Sequence, residues 1–361
     1  MPERSNNQPP LPDSRTAIGT SLASPSPEFG PADEALFREA WDIARDRHGR
    51  EITFYLPGMI RFHGFRGRYP ALSITGSRCE LQCLHCAGTL LQPMLKVDEP
   101  EELLRRGRLL AVNGNHGILL TGGSNRNGEL PWNRYLDVIS SLGRETTLHL
   151  SAHTGFPDLR TAKDLKAAGI RQALLDVMGD EKAATEVYRL PGLHKVIEAI
   201  EAVKKSGIAW IPHIVAGLYF GRIDSEHRAL EIIRRYHPTV LVIVVLSPLK
   251  GTAMSTVKPP APLAIARLIA SARLLMPDVP IALGCERPRN REGTSLECLA
   301  LRAGITRMAV WSEEAVEEAL ALGLHPRFQA TCCSVDYRTA FSSPDPHPSI
   351  SVGRNPAHTT S

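Results

Sequence analysis

Long apolar runs are absent from this 361-residue chain, so it offers no segment able to cross a bilayer as a helix. Its opening residues, MPERSNNQPPLPDSRTAIGTS, lack the apolar stretch of a signal peptide. These absences set the expectation of a cytoplasmic protein with no membrane partner. An excess of one charge sign is missing too: 42 Lys and Arg against 38 Asp and Glu leave a formal net charge of +4, with the two signs interspersed. So weak an attraction to polyanions argues against a nucleic-acid partner. Cysteine is scarce, and its count of seven is odd. In a reducing compartment a disulfide framework is disfavoured, and clustered cysteines read as metal ligands or catalytic groups.

What is present is an ordinary globular composition, 43% hydrophobic and 22% charged, long enough for one large α/β domain or two small ones. Residues 1–32 are rich in Pro, Ser, Asn and Gly and poor in large apolar side chains, which predicts disorder; the tail 337–361 reads the same way. An amphipathic helix from Ala32 to about Arg47 opens the folded part, 33–336.

From Ala71 onward, short apolar runs alternate with helix-like stretches. The runs are ALSITG (71–76), GILLTGG (117–123), TTLHLSAH (146–153), QALLDVMG (172–179), IAWIPHIVAGL (208–218), TVLVIVVL (239–246), VPIALGC (279–285) and TRMAVW (306–311). Continuous apolar strands separated by helices predict a parallel sheet covered on both faces. Eight such strands favour an α/β fold in the form of a full or partial (β/α) TIM-type barrel; an open doubly wound sheet is the alternative. In both, the site lies at the C-terminal ends of the strands.

The loop after the first of these strands reads Gly76-Ser-Arg-Cys79-Glu-Leu-Gln-Cys83-Leu-His-Cys86. Three thiolates at C-x3-C-x2-C spacing suit one corner of a 4Fe-4S cubane, each taking one iron and leaving the fourth iron open to another ligand. The competing reading is a zinc knuckle completed by His85 or a distant cysteine. Structural zinc sites favour paired C-x2-C units, which weighs against it.

The triad and its placement resemble the radical S-adenosylmethionine (SAM) superfamily. That resemblance implies reductive cleavage of SAM at the open iron, giving a 5′-deoxyadenosyl radical that abstracts hydrogen from an unactivated carbon. It implies catalytic roles for Cys79, Cys83 and Cys86 and a reductant such as ferredoxin or flavodoxin as partner. One position departs from the pattern. The residue before the last cysteine is usually aromatic in the superfamily, and here it is His85.

Within the superfamily, HIVAGL (213–218), VLSPLKGTAM (245–254) and ARLLMPDVPIALG (272–284) follow the order of the biotin synthases. FYLPGMIRF (54–62), ITGSRCELQCLHCAG (74–88), LLTGGSNRNGELP (119–131), SAHTG (151–155), GLYFG (217–221), LSPLKGT (246–252), GCERPR (284–289) and TCCS (331–334) are closer still to the biotin-synthase-like branch that holds the two-component lipoyl synthases. The resemblance runs from about Ala71 to Gly323. It implies sulfur insertion into an octanoyl chain on a carrier protein or peptide, with a second radical SAM subunit as a further partner. Biotin synthases carry an arginine in the seventh strand as a ligand of their sacrificial two-iron cluster, and here that position is Ala282. Instead, Cys285, Cys332 and Cys333 are candidate ligands of a different auxiliary iron–sulfur cluster that would surrender sulfide. Adjacent side chains diverge in extended backbone, so a turn at Thr331–Ser334 is needed if both Cys332 and Cys333 are to serve. Alternatively the three are buried thiols packed as small hydrophobes. Cys298, in a helix-like stretch, reads as core.

Around SAM, Thr121, Gly122, Gly123 and Ser124 resemble the superfamily's glycine-rich loop for the amino-carboxylate moiety, with Ser124 in place of an acidic residue. A glycine pair lets backbone approach a ligand closely. His153 and Asp176 would contact ribose or substrate, Gly217 and Pro248 would shape the adenine wall, and Arg287, with Lys250, would meet a carboxylate. Asp176 reads equally as a cap or salt-bridge residue, and a lone His is more often a satisfied core side chain. Two functional alternatives stay open: radical SAM chemistry without a sulfur donor, as in a lyase or cofactor-maturation enzyme, and a non-catalytic zinc-binding protein.

Overall fold

The computed structural model describes residues 29–62 and 64–336. Of the two terminal segments expected to be disordered, 1–28 and 337–361 lie outside the described residues. The first helix, α1 (Pro31–His48), starts one residue before the expected point, with Pro31 in its first turn. Asp33 accepts the Gly30 N–H at 3.0 Å and the Arg267 guanidinium at 2.5 and 2.8 Å, which anchors this helix start to a later helix, Pro262–Leu275.

The strands are β1 (Glu51–Tyr55), β2 (Arg61–Phe62), β3 (Phe65–Arg66), β4 (Ala71–Ser73), β5 (Leu95–Lys96), β6 (Gly117–Thr121), β7 (His149–His153), β8 (Gln172–Asp176), β9 (Ala209–Ala216), β10 (Leu241–Val245), β11 (Ile281–Leu283), β12 (Arg307–Ala309) and β13 (His325–Gln329). Apart from the small β2–β3 hairpin they form one parallel sheet of 11 strands, ordered β13-β1-β12-β11-β10-β9-β8-β7-β6-β4-β5. All eight apolar runs read from the sequence became strands, each beside its expected neighbour. The sheet keeps two edges, β13 and β5, and is a partial barrel.

Alternation along the strands explains both layers. Leu150 and Ala152 of β7, and Ala173 and Leu175 of β8, join the large outer core under the helices. Leu174 of β8 joins a second cluster with Tyr55 of β1, Ile211 of β9, Val242 of β10, Ala282 of β11, Ala309 of β12 and Cys333. Side chains from strands as distant in the sheet as β1 and β8 can share a cluster only because the sheet curls around them.

After β13 the chain turns back into this curl. Gln172 at the start of β8 donates to the Ser334 carbonyl at 2.8 Å and accepts from its hydroxyl at 3.1 Å, while Arg307 at the start of β12 donates to the Cys333 carbonyl at 3.0 Å. Residues 330–336 thus pack against the N-terminal end of the barrel, opposite the loops that carry the cysteine triad. Among the described residues no helix is long and apolar enough to cross a membrane.

Candidate active site

The triad loop leaves β4 and is curled by left-handed residues at Gln82 (φ 47°), Ala87 (φ 43°) and Gly88 (φ 74°). Three hydrogen bonds pin it to the segment after β6 and to a π-helical turn, Ala183–Val187. The Thr75 hydroxyl accepts the Gly123 N–H at 2.7 Å, Glu80 N–H donates to the Ser124 carbonyl at 2.8 Å, and Leu84 N–H donates to the Val187 carbonyl at 2.8 Å. Cys83 is buried, with Cys79 and Cys86 half-buried. Contact between the Cys83 and Cys86 thiols pulls the Cys86 thiol down to about 4 and drives Cys83 up, and burial adds to the Cys83 rise. Ligand atoms of Cys83, His85 and Cys86 lie within 4.8 Å of one another.

This arrangement fits an iron–sulfur cluster. The three thiols lie on one loop, those of Cys83 and Cys86 lie within 4.8 Å of each other, and the buried His85 Nδ1 has no partner among the described residues. When bound there, a 4Fe-4S cluster would be held by Cys79, Cys83 and Cys86.

Thr121, Gly122, Gly123 and Ser124 lie directly under this loop. A Cβ on Gly123 would stand 2.0 Å from the Arg78 carbonyl oxygen, so the glycine is required by the close passage of the triad loop. Its N–H and the Ser124 carbonyl are already engaged by that loop. Beside Cys79 and Ser124 opens a cleft of about 620 Å³ that also touches Arg78, Asn125 and Arg134.

Towards the barrel interior, His153 Nε2 lies 3.6 Å from Asp176 Oδ1, and the Tyr188 hydroxyl donates to Asp176 Oδ2 at 2.8 Å. The His153 and His213 rings are 5.4 Å apart, and burial, with the adjacent His153 second, pushes His213 down to about 4. Tyr188 then reaches back to the triad. Its ring lies 4.9 Å from that of His85, and its carbonyl accepts the Cys83 thiol at 3.3 Å. Tyr188, His213 and Thr75 were missed in the sequence. Thr75 and His213 sit inside recognised motifs, ITGSRCELQCLHCAG and HIVAGL, without being singled out, and nothing in AATEVYRL marks a tyrosine carried just after the π-helical turn Ala183–Val187.

Arg287 requires correction. Its side chain is fully enclosed, paired with Glu297 at 2.6 Å and donating to the Gly284, Ala309 and Val310 carbonyls at 2.5–2.7 Å. It fastens the loop after β11 to the end of β12, and its enclosed side chain presents no surface to a cofactor carboxylate. Gly217 likewise has a local reason: it sits at φ 82°, and a Cβ there would meet the Pro260 ring at 2.4 Å. Its N–H donates to the buried Glu226 carboxylate at 2.7 Å. Pro248 and Lys250 are exposed in the loop after β10.

The other cysteines fall in two groups. Cys298 is half-buried on a helix, Arg291–Arg302, away from the sheet's inner face. Cys285 follows β11 and is exposed. A turn closed by Val335 N–H on the Cys332 carbonyl at 3.0 Å brings the Cys332 and Cys333 thiols into hydrogen-bonding reach. That contact lowers Cys332 to about 6, whereas burial and then the Cys332 charge push Cys285 up to about 11. The three thiols therefore sense one another, although they do not converge as tightly as Cys83, His85 and Cys86.

A parallel partial barrel with a three-thiol loop after a strand and a glycine pair after the next defines a cluster-dependent barrel enzyme. The Radical SAM superfamily profile matches residues 73–246. Biotin synthase of Acetivibrio thermocellus is 27% identical over 67% of this chain and 77% of its own, and that of Pelotomaculum thermopropionicum 25% identical over 77% and 88%. In fold, methylornithine synthase superposes with a TM-score of 0.58 at 16% identity, over 87% of this chain and 94% of its own. The FeFe-hydrogenase maturase HydG from Carboxydothermus hydrogenoformans gives 0.58 at 16%, over 84% and 73%. The chain thus carries a radical SAM domain over residues 73–246 and has distant biotin-synthase-like relatives.

Proposed function

We propose that this enzyme inserts sulfur into unactivated C–H bonds of an octanoyl chain borne by a carrier protein or peptide, as a lipoyl synthase does. The observation that carries the reading is the second set of thiols. Cys333 belongs to the apolar cluster inside the curl of the sheet, with Cys332 and the half-buried alkyl side chains Leu119 and Val244 packed against it, and Cys285 follows β11. An alkyl chain gains about 0.8 kcal/mol per CH₂ that leaves water for such apolar surroundings. A cluster and SAM, when bound at the triad, supply a hydrogen-abstracting carbon radical, and an auxiliary cluster at the second thiol set supplies sulfide. The chain's own groups do the rest. Asp176, His153 and His213 offer polar contacts at the mouth, and residues 330–336 close the far end against water.

Anaerobic incubation with SAM, a strong reductant (ferredoxin or flavodoxin in the cell) and an octanoylated peptide is expected to yield 5′-deoxyadenosine, methionine and a peptide heavier by sulfur. Cys83→Ala abolishes all three. Cys332→Ala keeps SAM cleavage and loses the sulfur. Unchanged sulfur addition by Cys332→Ala would refute the donor role, and iron and sulfide sufficient for only one cubane per chain would point to a lyase or maturation reaction instead. Whether a second radical SAM subunit supplies the other sulfur is read from whether one or two sulfurs are added.

A further inference from the structure

At the position where the superfamily usually carries an aromatic residue, this chain carries His85, and its surroundings are specific to an imidazole. Its ring is held between the triad and Tyr188. The ring centroids lie 4.9 Å apart, and Tyr188 is itself fixed by its hydroxyl on Asp176 at 2.8 Å and by its carbonyl on Cys83. The segment before Tyr188 is tied to the residue before His85 through Leu84 N–H on the Val187 carbonyl. A His85 ring nitrogen lies within 4.8 Å of both the Cys83 and Cys86 sulfurs, and Nδ1 is buried without a hydrogen-bond partner among the described residues. Buried polar atoms are nearly always satisfied, so an orphaned nitrogen on a ring beside a cofactor site marks a group completed when the site fills.

We propose that His85 is a positioning residue that donates an N–H hydrogen bond to a sulfur of the bound cluster, the Cys86 thiolate or a core sulfide, and thereby raises the cluster's reduction potential. Reduction adds negative charge that spreads onto the sulfurs, so a donor aimed at sulfur stabilises the reduced form more than the oxidised one. A phenyl ring in the same place packs equally well and donates nothing. The inference rests on the triad cluster and is independent of whether sulfur is inserted.

The test uses the reconstituted full-length enzyme without SAM or acyl substrate. EPR-monitored redox titration of wild type, His85→Phe and His85→Gln reads the midpoint potential. His85→Phe is expected to cut the reduced-to-oxidised ratio at fixed potential about tenfold, which for one electron is about 59 mV lower, while His85→Gln, which keeps an N–H donor, stays nearer wild type. Equal midpoints for wild type and His85→Phe overturn the proposal, as does a fall of equal size in both variants. If His85→Phe holds no cluster, pulsed EPR on reduced wild type with ¹⁵N-histidine decides. A nitrogen coupling supports the bond, and its absence overturns it.

Discussion

Gly123→Ala places one methyl group where the triad loop passes. The new Cβ would lie 2.0 Å from the Arg78 carbonyl oxygen, 2.5 Å from Cys79 Cβ and 2.6 Å from Cys79 Cα, whereas ordinary contact begins at 3.4 Å. Backbone, not a flexible side-chain tip, must therefore retreat by about 1 Å, several times the ~0.2 Å within which metal–ligand distances are held. Overpacking of this kind costs roughly 1–3 kcal/mol, a fall of only about 2–12 °C in Tm for a domain of this size. The expected phenotype is a folded protein that has lost most of its cluster. Gly122→Ala is the control, because its Cβ would approach nothing closer than 3.0 Å, the Thr75 hydroxyl. Anaerobic reconstitution followed by iron and sulfide analysis reads the cluster, and circular dichroism reads the fold. A Gly123→Ala enzyme with a full complement of iron would refute the claim that this glycine seats Cys79.

Arg287→Met leaves Glu297 buried without its cation and should destabilise the fold by roughly 3–5 kcal/mol; a Tm equal to wild type would dismiss the clamp. Burial raises Glu226 to about 7 from 4.5, against the pull of the Gly217 and Leu218 N–H groups. Between those values the folded state holds a proton that the unfolded state has released, so stability falls as pH rises from 4.5 to 7, by on the order of 3 kcal/mol. Urea unfolding of Glu226→Gln should show a flatter profile over that window, and an unchanged slope would count against it. Asp33 moves the other way, lowered to about 2 by the Arg267 hydrogen bonds and then by the Gly30 N–H. Its contribution is present above pH 3.8 and fades as pH drops towards 2. Asp33→Asn should therefore unfold less steeply in acid, checked by following ellipticity on acid titration, and an acid limb as steep as wild type would exclude this role.

The strands were legible because a buried parallel strand must be apolar on both faces, and eight runs from ALSITG to TRMAVW advertise that without reference to partners. The triad was equally legible, since ligand identity and spacing are written locally. β1 and β13 escaped notice for a physical reason. HPRFQ lies on a sheet edge and carries Pro326 and Arg327, and EITFY gains strand identity only when β12 and β13 close on either side of it. Arg287 was misassigned because GCERPR looks like a loop reaching for an anion, and only the fold brings Glu297 and the Ala309 and Val310 carbonyls around it.

The amino-acid order by itself determined the repeating strand–helix architecture and the three thiolates of one cluster loop, because both depend on interactions between near neighbours in the chain. The tertiary structure decided which distant groups meet: Gly123 under Cys79, Tyr188 between His85 and Asp176, and Cys285 near Cys332 and Cys333. Those meetings depend on how far the sheet curls and where the C-terminal segment re-enters it, and no local spacing encodes either.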